Sequence, residues 1–264
     1  MARKGGWALF PHDNAAFVYD GAALKKNWAR LHKGDAEPFP SGDSAKAVED
    51  AWRLFHAGDF QGAYEAGINA GLNGYNVANK AACIYNNYLE TSDAKKQKAY
   101  EEVAARCEAL QAAQNKNANA FYFAAYALGR YGQLIGVAKA LAQGIGGKVS
   151  KALENTLKLE PKHADAHIAL GTFNAEVIEK VGGMIGKMTY GVSKEGAVEN
   201  YEKALKLNPD SAVARTEMAD GIYKLFGDKK MKDVERLYAE AAASEPKDAI
   251  ECLDVEAAKT ELEE

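Results

Sequence analysis

Proline, cysteine and surplus positive charge are all scarce in this chain of 264 residues, and each shortage removes a class of protein. Six prolines against 50 alanines exclude a β-rich architecture and suit close-packed helices. Three cysteines, Cys83, Cys107 and Cys252, are too few and too scattered for a disulfide framework. They read as buried thiols in a reducing compartment. Lys and Arg number 33 against 37 Asp and Glu, a net charge of −4. Neither nucleic acid nor an anionic membrane is therefore expected as the main partner, since both demand clustered positive charge. Long hydrophobic runs are missing too: the stretch 121–145 carries Arg130, Gln133, Lys139 and Gln143, which suits a buried helix and not a membrane span. The positive start at Ala2, Arg3 and Lys4 has no apolar stretch behind it, so no signal peptide is read there and the expected location is cytoplasmic.

Two regions follow from the composition. Residues 1–44 hold six aromatics (Trp7, Phe10, Phe17, Tyr19, Trp28 and Phe39) among Gly and Pro, with one helix expected near 22–32. That segment is too apolar for a free tail and is expected to pack on or cap the remainder, or to fill part of a groove in it. After Pro38, Pro40 and Gly42 the chain becomes a succession of helices, 45–264, the first capped by Asp43 or Ser44. Ala47, Ala51, Leu54 and Phe55 give that helix an apolar stripe, Gly58 and Asp59 turn the chain, and Phe60, Ala63, Tyr64 and Gly67 begin the next.

The second half repeats this unit. Pro161, Pro209 and Pro246, 48 and 37 residues apart, each close a segment of the same kind. Ala197, Tyr201 and Ala204 lead to Pro209, and Val234, Tyr238 and Ala241 lead to Pro246. Proline sits where one helix has ended and the next begins, so its missing N–H costs nothing. Leu170 with Gly171 and Met218 with Ala219 supply a large–small pair in the helix of each unit that comes first.

These positions resemble, one residue at a time, the signature of the tetratricopeptide repeat (TPR), a 34-residue helix–turn–helix unit that stacks into a right-handed solenoid. The sequence departs from it at His167 and Arg215, where Trp is common, at Asn174, where Tyr is usual, and in repeat length. The likeness spans about residues 45–246. Long first helices, the Gly129–Arg130 pair and an insertion near 182–191 are further similar to the regulator-of-microtubule-dynamics group and to the T component of TRAP transporters, repeat proteins of a bacterial type. The resemblance implies an all-α, TPR-like right-handed solenoid of eleven or twelve helices in antiparallel pairs, with a final capping helix near 248–262.

Chemistry-bearing patterns are few. His163 and His167 stand at i and i+4, but without a third ligand they read as packing residues, and no metal or other cofactor is expected. Gly144, Gly146, Gly147 and Lys148 fail the phosphate-loop spacing, with Ala142 and Val149 where Gly and Ser or Thr are needed. Arg130 lies in an apolar helix with Tyr122 and Tyr126: it is either tied to an acid of an adjacent helix or part of a small-anion pocket. Lys80, Asn86 and Asn87 are placed to face a groove. The Gly-rich insertion with Met184, Lys187, Met188 and Tyr190 reads as a lid or partner contact, or else as a plain continuation of the helix.

No catalytic constellation stands out, so an enzyme is not expected. The leading expectation is a non-catalytic interaction module, an adaptor or accessory subunit that binds a peptide or protein surface in its concave groove. The alternative is a small-molecule binding protein with a cavity between the long helices, as the T-component likeness implies; a large apolar pocket near Arg130 or the insertion favours it. A homodimer is compatible with either.

Overall fold

The computed structural model describes residues 6–263, so the positive start at Ala2, Arg3 and Lys4 lies outside the described residues. After α1 (Ala23–Leu31), five hairpins follow. The first two pair α2 (Ala45–His56) with α3 (Phe60–Asn69), and α4 (Tyr75–Tyr88) with α5 (Asp93–Ala113). In the third, α6 (Ala118–Ile135) and α8 (Ile145–Leu159) flank the short α7 (Val137–Ala142); in the fourth, α9 (Ala164–Val181) and α11 (Lys194–Leu207) flank α10 (Gly183–Tyr190). The fifth pairs α12 (Ala212–Phe226) with α13 (Met231–Ala242), and α14 (Ala249–Glu263) packs on both. The described residues thus form an all-α solenoid, with eleven helices in the array and α7 and α10 as excursions from it.

Local chemistry fixes the boundaries. Side chains of Asp59, Asn117, His163, Ser193 and Ser211 each accept a backbone N–H at the start of their helices. Ser44 occupies the N-cap position of α2 without capping; its hydroxyl takes the Asn73 amide instead. The buried helix expected across 121–145 breaks at Gly136, whose φ of 94° only glycine adopts without strain. Gly182, at φ 79°, likewise separates α10 from α9, so the insertion is a distinct helix and not a continuation.

The repeat signature works as a wedge. The Tyr201 ring of α11 lies between Gly171 of α9 and Gly221 of α12, and its hydroxyl donates to Thr172 Oγ1 at 3.1 Å. A Cβ at Gly171 would lie 2.7 Å from the ring, and one at Gly221 2.5 Å from the Tyr201 hydroxyl.

What distinguishes this array is its closure. The inner helices α2, α4, α6, α9, α12 and α14 contact one another in that order, and α14 then contacts α2. Ala249, Cys252 and Leu253 of α14 share a core with Trp52 and Phe55 of α2 and with Phe17, Leu24 and Trp28 of the N-terminal segment. His56 Nδ1 meets Asp248 Oδ2 at 2.8 Å with both side chains buried. Around that contact Arg30 pairs with Glu251 at 2.5 Å, and the Tyr19 hydroxyl donates to the Lys247 carbonyl at 2.6 Å. The final helix caps the array and also bolts it to its beginning.

The wedge is tested by Gly171→Ala and Gly221→Ala. Alanine adds about 1 kcal/mol of helix propensity, yet each variant is expected to lose about 1–3 kcal/mol through the forced displacement of Tyr201. Urea denaturation reads the difference, and unchanged or increased stability contradicts the packing.

Candidate functional site

The inner face of the ring is partly occupied by the chain itself. Residues 32–37 lie against α4, α6 and α9 through polar contacts. The Asp35 carboxylate takes Lys80 Nζ at 2.6 Å and faces His32 Nδ1 at 2.9 Å. Asn119 donates to the Asp35 carbonyl at 3.0 Å and to Glu37 at 2.6 Å, while Asn76 donates to Glu37 at 2.8 Å. At the start of α9 the Asp165 N–H donates to the Gly34 carbonyl at 3.0 Å.

Burial sets the protonation of this cluster. His32 and His163 are pushed down to about 4 by desolvation, so both rings are neutral at pH 7. His163 Nδ1 accepts the Ala166 N–H, which leaves Nε2–H to donate to Asn119 Oδ1 at 2.9 Å. Glu37 is pushed up to about 7 by burial and by neighbouring Asp35. Burial disfavours the Asp35 carboxylate as well, but Lys80 and His32 outweigh it and hold the group well below its usual range.

Beside this cluster an apolar cavity of about 150 Å³ runs along α6. At roughly 10–15 Å³ per water, that is space for a molecule of about ten heavy atoms. It extends from Tyr122 to Gln133, roughly 16 Å at 1.5 Å per residue. Cys83 and Ile84 of α4, Leu141 of α7, Val149 of α8, Ile168 and Phe173 of α9, and Ile250 of α14 supply walls. A polar network crosses it. Arg130 donates to Glu217 at 2.7 Å and to Gln133 at 3.1 Å, Gln133 donates to Glu176 at 2.6 Å, and Thr172 donates to Glu217 at 2.8 Å. The Arg130 side chain is 25% and that of Glu217 14% accessible, and both line the cavity. Burial disfavours both charges, but their mutual attraction holds Glu217 below its usual range and Arg130 above it.

The structure brings four of the sequence-read residues, Lys80, Tyr122, Tyr126 and Arg130, to this one cavity. Arg130 is bound to an acid, Glu217 of α12, and its guanidinium lies 5.4 Å from the Tyr126 ring centre. Asn86 is buried and donates to the Ala82 carbonyl at 2.8 Å, and Asn87 is half-buried on the same helix. The insertion splits. Met184, Met188 and Lys187 are exposed on α10, whereas Tyr190 packs edge-on to Phe173, 5.9 Å between ring centres. His167 turns away from His163, its Nδ1 facing Asn200 at 2.8 Å.

Sequence reasoning missed Asp165, Asp254 and Glu217, all of which line the cavity. Asp254 carried a signal, an acid set directly between Leu253 and Val255. It is buried, accepts the Tyr88 hydroxyl at 2.5 Å, and is pushed up to about 8 by desolvation. Asp165, in the first turn of a helix, reads as an ordinary N-terminal acid; burial and Asp35 push it up to about 7.

The family model described as regulator of microtubule dynamics protein 1-3 matches residues 72–250. The fold is similar to the crystal structure of TTC0263, a thermophilic TPR protein of Thermus thermophilus, with a TM-score of 0.57 at 14% identity over 83% of this chain and 100% of that one. No curated protein matches. Among the described residues, no helix is long and apolar enough to cross a membrane.

Three carboxyls raised to about 7 or 8 have a thermodynamic consequence. Between pH 6.5 and about 8 the folded state still binds protons that the unfolded chain has already released, so stability falls as pH rises through that window. The two lowered histidines act in the opposite sense, mainly below about pH 6.5. Urea denaturation at both pH values is expected to show the loss, and Asp254→Asn to remove its upper part. A stability that rises across the window contradicts the assignment.

Proposed function

We propose that this chain, which belongs to the regulator of microtubule dynamics protein 1-3 family, is a non-catalytic binding protein that holds a small molecule inside its closed ring of inner helices. The observation that carries this reading is the apolar cavity along α6. In an open TPR-like array the inner face is a groove for peptides. Here residues 32–37 and α14 occupy part of that face, and what remains along α6 is a half-open apolar pocket lined by aromatic and aliphatic side chains with a few fixed polar groups. Such a lining is that of a ligand pocket. The network through Arg130 and Glu217 is satisfied within the protein and fixes the walls. Three unpaired, buried cysteines support a cytoplasmic setting.

Gly129 provides the test. It lines the cavity, and a Cβ there would meet nothing within 4 Å, so Gly129→Leu fills the space while improving helix propensity. Calorimetry with 2-phenylethanol as probe is expected to show binding to the natural chain and at least a tenfold loss in Gly129→Leu, with no loss of thermal stability. Equal binding by both chains contradicts the reading, and so does an absence of binding to either.

A second reading, the adaptor, draws on α10. Met184, Ile185 and Met188 are 80%, 57% and 83% exposed on one short helix, an apolar face that a partner protein or a second copy would cover. Light scattering after gel filtration separates the two. A dimer lost in Met184→Asp/Met188→Asp identifies a second copy, and a monomer throughout leaves only a different protein.

A further inference from the structure

Charge inside the cavity is not balanced. Every cation that reaches it is already held: Arg130 by Glu217 at 2.7 Å, and Lys80 by Asp35 at 2.6 Å. Asp165 and Asp254 are left over. Among the described residues no hydrogen bond or ion pair reaches the half-buried Asp165 carboxyl, which packs against Gly34 and is under the influence of the Asp35 and Lys80 charges. Asp254 is 6% exposed and has a single polar partner, the neutral Tyr88 hydroxyl; Asp248, Glu251 and Asp165 add only like charge around it. Two acids thus line one small, mostly apolar space with no ion pair of their own.

The aromatic walls suit the same kind of guest. Tyr122 and Tyr126 line the cavity from α6, and ring faces attract cations, most strongly where water is excluded. An anion would meet the uncompensated acids and find no free donor of positive charge. Resting on the cavity reading above, we propose that the ligand is a small organic ammonium ion, its charged head at Asp165 and Asp254 and its apolar body along α6 toward Phe173.

The protonation states support this placement. Without a ligand, burial and the like charges hold Asp165 up at about 7 and Asp254 at about 8. A bound ammonium ion favours their ionised forms, so binding expels protons near neutral pH and tightens as pH rises.

Three probes of one shape test it by calorimetry on the full chain at pH 6 and pH 8: 2-phenylethylamine, 2-phenylethanol and 3-phenylpropanoate. The amine is expected to bind at least about tenfold more tightly than the alcohol at pH 8, because a hydrogen bond to a charged group is stronger than one between neutral groups. Its affinity is expected to rise from pH 6 to pH 8, with proton release visible as a dependence on buffer ionisation heat. Asp165→Asn and Asp254→Asn should each reduce the preference for amine over alcohol. Unchanged helical circular dichroism and alcohol binding in these variants separate loss of charge from loss of fold. Equal binding of amine and alcohol, or preference for the carboxylate, overturns the ammonium assignment and leaves the cavity reading standing. No binding by any of the three overturns both.

Discussion

The contact on which this molecule depends is the one between its final helix and its first hairpin. His56 and Asp248 meet at 2.8 Å with both side chains shielded from water, and the apolar faces of α2 and α14 join the aromatic N-terminal segment in one core. A buried polar pair is weak as a source of stability but costly to break, because the surviving partner is left uncompensated. It therefore fixes register more than it adds energy. An array whose curvature accumulates from small rotations per repeat becomes a closed ring only if its last element finds its first at one position.

Closure narrows the groove to an apolar pocket of about 150 Å³ along α6. The wall residues do not collapse into the space, because cross-ring contacts hold them apart. Arg130 ties α6 to α12 through Glu217, and Gln133 ties α6 to α9 through Glu176. Residues 32–37 bind the inner helices as a tethered peptide, so part of the surface that an open TPR-like array offers to partners is already engaged.

The repeat architecture was legible because its determinants are local. Tyr201 between two glycines, the proline after each second helix and the capping oxygens of Ser193 and Ser211 all act within one or two units. The site was legible only in part. Lys80, Tyr122, Tyr126 and Arg130 stood out as polar or aromatic groups on apolar helices, and they do meet at the cavity. Asp165 and Glu217 did not, since an acid in a helical stretch looks solvated until tertiary structure buries it. The closure was invisible for the same reason: His56 and Asp248 are 192 residues apart, and no local pattern announces a contact set by the summed curvature of five hairpins. Gly136 was, like Asp254, a local signal passed over: a single glycine between apolar residues that ends α6 and creates α7.

Hydrogen exchange of α14 tests the closure most directly. A helix that merely caps a solenoid frays, and its amides exchange through local opening far below the global unfolding free energy. Here the amides of Cys252, Leu253, Asp254 and Val255 are expected to exchange only with global unfolding, in step with those of α2 and α4. Rapid exchange of these four residues, independent of α2, would contradict a closed ring and the narrowed cavity that follows from it.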